Sequence, residues 1–323
     1  MSNNKKVVLI GGGSGLPVVL KPLKEKDVDI TAIVTVADNG GSSGLIRDYV
    51  NIVPPGDIRN AMATLSQLDK EILDIFQYRF DSDNQTLSNH SIGNLIIAAM
   101  VKMDGDIFSA VQHLSKIMKL KGSVLPVSDE PLVLNAEFTD GTTERGEHQI
   151  TEAHKIIKKF WIETEDNKNI PRPTKEALDA INQADMIILG PGSLFTSVLP
   201  NLIIEDMASA IKQSKAKTVY IANIMTQKGE TDDFTDADHI QAIADHVGDQ
   251  IVDYVLSNST EIPTDYINRQ RWDEIAEPVT IDQATDEKLG VELFAGDYLS
   301  LRDEGAFHDG EKIVNQLMEI LNR

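Results

Sequence analysis

Three short β-branched runs, each stopping at a glycine-rich turn, constrain this chain more than any other feature. Lys6–Ile10 ends at Gly11-Gly12-Gly13-Ser14-Gly15, Ile30–Val36 runs into Ala37–Gly44, and Met186–Leu189 stops at Gly190-Pro191-Gly192-Ser193. A strand followed by a flexible turn and then a helical stretch is the building unit of a parallel sheet with crossover helices. Thr218–Ile224 and Ile251–Leu256 continue the pattern in the second half. Helical periods lie between the strands. Leu65, Leu68, Ile72, Ile75 and Phe76 mark one amphipathic helix, Ile107, Val111, Leu114 and Met118 a second, and Ile313, Val314, Leu317 and Leu321 the closing one. Asn94–Met103 is apolar nearly all round, which predicts a buried helix.

One stretch breaks the alternation. Val124–Ile150 carries strand-like segments around Asp140-Gly141, a hairpin signal. The 323 residues have room for one large domain or two smaller ones. No linker-like tract divides them, and no repeat of roughly 20–50 residues is present. The reading is therefore a single α/β domain over 1–323, a doubly wound, mostly parallel sheet. It carries a helical block at about 57–120 and a small antiparallel β insertion at about 123–165.

Charge and composition remove whole classes of function. Asp and Glu number 51 against 30 Lys and Arg, a net charge of −21, which argues against nucleic-acid binding because phosphate backbones are held by Lys and Arg. The absence of cysteine excludes disulfides, thiolate metal sites and a Cys nucleophile. The longest uninterrupted apolar run, Leu95–Val101, is seven residues, too short to span a membrane. Val7–Ile10 ends at three glycines and is no signal peptide. An intracellular protein is expected.

The chemistry sits at the turns. Gly11, Gly12, Gly13, Ser14 and Gly15 can present backbone N–H groups to a phosphate at a helix N-terminus. Leu16 stands where the third glycine of a dinucleotide fingerprint belongs, and no Gly-Lys-Ser/Thr makes a P-loop. That incomplete fingerprint disfavours an NAD-dependent oxidoreductase. In the second turn, Asp38, Asn39, Gly40, Gly41, Ser42 and Ser43 can wrap a pyrophosphate or place an acceptor beside it. Asp38 can equally be a turn cap. Gly40-x-Ser42-x-Gly44 also matches a hydrolase nucleophile elbow, a weaker reading because the other glycine turns would then go unexplained.

Pro54-Pro55-Gly56-Asp57-Ile58-Arg59-Asn60 offers a carboxylate, a guanidinium fork and an amide on one turn, although Asp57 also suits a helix cap. Ser88–Asn94 places His90 and Asn94 before the buried helix, where His90 can serve as acid, base, donor or cap. Gly190, Gly192 and Ser193 form a third strand-end turn, which belongs in the same crevice as the first two. Asn223, followed by Gln227-Lys228-Gly229-Glu230-Thr231, closes a fourth strand. His239 and His246 among Asp236, Asp238 and Asp245 lack metalloprotease spacing and read as a solvated acidic helix face. Arg302 reads as a surface ion-pair residue, with the crevice mouth as the alternative.

Taken together, GGGSG (11–15), ADNGGSSGLIRD (37–48), PPGDIRN (54–60), NHSIGN (89–94), LGPGSLFTSVLPNL (189–202) and NIMTQKGETD (223–232) resemble the bacterial gluconeogenesis-factor family, the YvcK-like proteins. More distantly the set is similar to 2-phospho-L-lactate transferases. The resemblance implies a Rossmann-like fold and a cytoplasmic location. It also implies regulation of carbon metabolism, cell-wall synthesis and cell shape, with binding of a sugar nucleotide such as UDP-N-acetylglucosamine. From the transferase relatives it implies that Asp38, Asn39, Asp57 and Asn60 lie near phosphates or a divalent ion. Asp38 and Asp57 would then hold Mg²⁺, and His90 with Asp57 would be catalytic. Phe195 and Asn89 depart from the usual tyrosine and glycine. A homo-oligomer and a regulated protein partner are expected. The residues offer no unmistakable nucleophile–base pair, so a binding regulator is favoured over a Mg²⁺-dependent transferase.

Overall fold

The computed structural model describes residues 4–80, 90–165, 169–263 and 265–323, without the side chain of Asp48. Ser88 and Asn89, singled out above, lie outside the described residues. The chain begins β1 (Lys5–Gly11), α1 (Leu16–Leu23), β2 (Val28–Val34). Five helices follow before β3 (Ser123–Pro126): α2 (Gly41–Val50), α3 (Gly56–Leu65), α4 (Lys70–Gln77), α5 (Ile92–Asp104) and α6 (Ile107–Ile117). Next come β4 (Leu132–Phe138), β5 (Thr143–Arg145), α7 (Glu147–Ala153) and β6 (Ile157–Thr164). The second half runs α8 (Lys175–Gln183), β7 (Met186–Leu189) and a π-helical turn, Leu194–Val198, leading into α9 (Leu199–Leu202), α10 (Met207–Gln213), β8 (Lys217–Ile221) and β9 (Met225–Gln227). It continues α11 (Asp236–Val247), β10 (Tyr254–Asn258), β11 (Ile275–Pro278), α12 (Gln283–Leu289), β12 (Glu292–Gly296), β13 (Leu299–Arg302), β14 (Gly305–His308) and α13 (Gly310–Asn322).

Seven strands form one sheet in the order β12-β10-β8-β7-β1-β2-β3, and every neighbouring pair is parallel. Helices cover both faces, so the central strands are apolar on both sides; Val7, Val8, Leu9 and Ile10 are all buried. Each such side chain contributes about 1.5–3 kcal/mol by leaving water. From β1 the chain winds outward through β2 and β3, then returns to place β7 on the other side and winds on through β8, β10 and β12. The direction of winding therefore reverses between β1 and β7, the place where doubly wound sheets open a crevice at their carboxyl edge.

The structure redraws several expected elements. The predicted helix from Leu65 to Phe76 is two helices. Ser66 turns extended after Leu65, its Oγ donates to Met118 O (2.8 Å) and accepts from Leu68 N (3.1 Å), and α4 starts afresh at Lys70. Helix α5 is not buried all round, since Ile96 and Met103 face outward. The strand near Val124 is β3, which pairs with β2 at the edge of the main sheet; the antiparallel insert is β5-β4-β6 with α7. The hairpin turn at Asp140-Gly141 joins β4 to β5 as its sequence indicates. The strand expected over Thr218–Ile224 ends at Ile221, and that expected from Ile251 starts at Tyr254. Among the described residues, no single helix is long and apolar enough to cross a membrane.

Candidate functional site

The register brings the glycine turns together. Gly11 pairs with Val34 and Ile10 with Leu189, Thr35 N donates to Gly11 O (3.0 Å), and Gly190 N donates to Ile10 O (2.9 Å). Three strand ends thus stop at the same level, and the turns 11–15, 38–44 and 190–193 meet at one edge of the sheet. The packing leaves no room for side chains at three of these glycines, Gly12, Gly15 and Gly44. A Cβ on Gly12 would stand 2.5 Å from Asp57 Oδ2 and 2.6 Å from Thr35 Cγ2, and one on Gly15 would collide with Pro191 O. Gly15→Ala is accordingly expected to cost about 1–3 kcal/mol by overpacking, read as a lowered denaturation midpoint at unchanged slope.

Carboxylates gather beside these loops. Asp57, in the first turn of α3, is pushed up to about 7 by burial and by the nearby Asp38 charge, with the Gly13 N–H and Arg59 pulling the other way. Asp38 accepts from Gly40 N (2.7 Å) and shares a hydrogen bond with Glu147 of α7. Two carboxyl groups can share such a bond only if one carries a proton. Glu147 is raised well above the usual carboxylate range by burial and by Asp38, Asp57 and Glu230. Glu230 is raised by burial, although Ser193 Oγ donates to it (2.5 Å). Glu147 thus lies near three other acids, each from a different part of the chain.

Other expected site residues are engaged within the protein. Arg59 is buried, and its fork is occupied. Nη1 donates to Ser91 Oγ (2.5 Å) and Nη2 to Asn60 Oδ1 (2.7 Å). It therefore ties α3 to the start of α5 and orients Asn60. Ser42 Oγ meets His90 Nδ1 (3.0 Å) and accepts from Asn94 Nδ2 (3.0 Å). All three are buried and none lines the open crevice, so His90 steadies the first turn of α2 and the nucleophile-elbow pattern around Ser42 faces inward. Ser43 is likewise buried. Asn39 holds the insert in place, accepting from His148 N (2.9 Å) and donating to Gln149 Oε1 (2.8 Å). Phe195 packs edge-on to Phe160 of the insert (5.7 Å) and His246 of α11 (5.7 Å), an apolar setting with no use for a hydroxyl.

The crevice itself, about 610 Å³, lies between Ser14, Gly15, Gly192, Ser193 and Asn223 on one side and Trp272, Arg302, Phe307 and His308 on the other. Trp272 meets Phe307 edge to face (5.1 Å), and the Arg302 guanidinium lies over the Phe307 ring (4.7 Å). Arg302 thus lines the crevice and makes no surface ion pair among the described residues. His308 Nε2 donates to Ala222 O (2.9 Å), and burial pushes its pKa down to about 4, so it stays neutral. Sequence reasoning missed Glu147, Trp272 and Phe307, whose approach to the loops depends on contacts distant in sequence. Among the described residues no three His, Asp or Glu side chains are arranged to hold a metal ion.

A parallel doubly wound sheet with abutting glycine loops at its switch point defines a Rossmann-like protein. The chain belongs to the 2-phospho-L-lactate transferase CofD family, whose model matches residues 7–299. It is 48% identical to a gluconeogenesis factor of Listeria innocua over 98% of this chain and 95% of that protein. It is 47% identical to one of Listeria monocytogenes over the same shares. The crystal structure of a Bacillus halodurans protein, 43% identical, superposes with a TM-score of 0.92 over 98% of this chain and 100% of that one.

Proposed function

We propose that this protein is a gluconeogenesis-factor type regulator that binds a sugar nucleotide, of the UDP-N-acetylglucosamine kind, in the cytoplasm. Its occupancy would be passed to a protein partner governing carbon metabolism, cell-wall synthesis and cell shape, and a homo-oligomer is the expected form. One observation carries the reading: two glycine loops abut opposite an aromatic wall with an arginine, across a crevice sized for a small ligand. The loops suit a diphosphate because N–H dipoles attract phosphate without adding formal charge. Asn223 and the Trp272–Phe307 wall suit a base or sugar by hydrogen bonding and stacking.

The acid cluster favours a second reading, a Mg²⁺-dependent transferase of a phosphoryl-linked group. Mg²⁺ would neutralise the charge that develops on the diphosphate. In that case Asp38 and Asp57 would hold it, with phosphate oxygens and waters completing the set. Asp57 is the better acid–base candidate than His90, whose ring is committed to Ser42. Thermal shift against UDP-sugars, GDP, NAD and inorganic phosphate tests both readings. A UDP-sugar at 100 times its Kd is expected to add about 2.7 kcal/mol. Stabilisation by NAD or phosphate with none by any sugar nucleotide would overturn the first reading.

A further inference from the structure

Helix α11 is not the solvated acidic face its sequence suggests, because Asp236 and His239 are both fully buried. Three buried polar groups lie near them: Tyr220 of β8, whose ring is 6.2 Å from that of His239, Ser257 of β10, which bonds Asp236, and Asp286 of α12, which feels the Asp236 charge. Asp236 is well satisfied as a carboxylate. Its Oδ2 accepts from Ser257 Oγ (2.6 Å), and its Oδ1 from the backbone N–H of Ala237 (3.0 Å) and of Asp282 (2.8 Å). Asp286 is the opposite case: it has no exposure, and neither of its oxygens has a partner among the described residues. The Tyr220 hydroxyl and His239 Nε2 are also buried and unpartnered among them. His239 Nδ1 lies 2.7 Å from Thr235 O, a carbonyl, so Nδ1 donates and Nε2 of the neutral ring is left as an acceptor.

These buried groups therefore carry an excess of acceptors. The charges acting on Asp286 are both negative, Asp236 from α11 and Asp282 from the cap of α12 itself. Asp238, Asp245, Glu287, Lys288 and Glu292 are exposed, half-buried Lys217 of β8 donates to Ile320 O (2.7 Å), and the Lys288 charge acts on Asp282. An unpaired buried carboxylate between two like charges is costly, whereas a protonated carboxyl carries no charge to oppose them.

We propose that Asp286 is a proton-binding site that fastens the strap 279–282 to α11 and so couples the crevice wall to pH. The strap is tied down by Asp282 N on Asp236 Oδ1, by Asp236 N on Thr280 O (3.0 Å) and by Val279 N on Ile224 O (3.1 Å). It continues directly from β11, whose Ile275 lines the crevice along with Glu274 and Trp272. With its proton, Asp286 adds no charge beside Asp236 and Asp282, and the strap is held. Without it, a second buried negative charge faces Asp236 and Asp282, and the cheapest relief is to let the strap and α12 part from α11. Burial and the two neighbouring acids push Asp286 up to about 7. The closed form holds a proton that the open form, near the usual carboxylate range, gives up, so closure is favoured at low pH and weakens as pH rises towards 7.

Amide hydrogen exchange on the ligand-free full chain tests this independently of any view of the crevice's ligand. After correction for intrinsic exchange, strap and α12 amides of the wild type are expected to open at least tenfold more at pH 7.5 than at pH 5. Release of one proton allows up to tenfold per pH unit. Asp286→Asn, which keeps a donor and cannot ionise, is expected to remain protected at both pH values. The same pH dependence in Asp286→Asn would overturn the proposal, as would a strap in the wild type whose opening does not change with pH. Should Asp286→Asn fail to fold, Asp286→Ser makes the same comparison, and the wild-type result alone still decides against the proposal if it is flat.

Discussion

Gly12→Asp is expected to abolish sugar-nucleotide binding, with no heat detected by calorimetry at ligand concentrations that saturate the wild type. Two effects act together. The new Cβ has no room, since Asp57 Oδ2 and Thr35 Cγ2 already stand 2.5 and 2.6 Å from where it would be. Overpacking of this kind costs about 1–3 kcal/mol of stability. The new carboxylate also places a negative charge in the cradle meant for a diphosphate. At about 5 Å and an effective dielectric near 20, that repulsion is on the order of 3 kcal/mol, or roughly a hundredfold in affinity. Ser14→Asp separates the two, because Ser14 is exposed and lines the crevice. It is expected to leave stability unchanged and to weaken binding by a smaller factor, about fivefold, as solvent screens its charge. Unchanged UDP-sugar affinity in both folded variants would show that the diphosphate does not lie on the first loop.

Much of this site was legible because its first ingredients are local. A β-branched run that ends at glycines needs only its own residues to say strand and then loop, and β1, β2 and β7 all say so. Parallel strands then force their loops to one edge, which is why 11–15, 38–44 and 190–193 could be expected to meet before any coordinates. What the sequence hid was non-local. Glu147 follows an ordinary glycine in the insert, and only the folding of α7 back onto loop 38–44, through Asn39, brings it to Asp38. Trp272 and Phe307 are 35 residues apart in sequence and become a wall only when β13 and β14 pair. Arg59 shows the reverse error. An arginine beside glycine loops reads as a phosphate clamp, but sequence cannot show that Ser91 and Asn60 already occupy its fork. The short strand β3 was assigned to the insert because Ser123–Pro126 offers four residues and no glycine turn, so its neighbours decided the reading.

Sugar-nucleotide binding is expected to survive EDTA and to weaken as pH rises from about 6 to about 8.5. The sign follows from Asp57, which burial and Asp38 push up to about 7. Below that value Asp57 is neutral and leaves the diphosphate unopposed; above it each bound ligand must either face an added negative charge or take up a proton. Affinity should therefore fall by up to tenfold per pH unit through this window, and Asp57→Asn should flatten the profile by removing the group that titrates. Glu147→Gln, which takes away another acid of the cluster, should hold affinity at the upper end of the range. A transferase that works through a bound divalent cation predicts the opposite slope. Its carboxylates must be ionised to hold the metal, so binding would strengthen with pH and disappear with EDTA. It would also release nucleotide in the presence of Mg²⁺, and Asp38→Asn would lose that release. The direction of the pH profile thus separates regulator from enzyme before any product is identified, because the same acids repel a bare diphosphate and attract one that arrives with its metal.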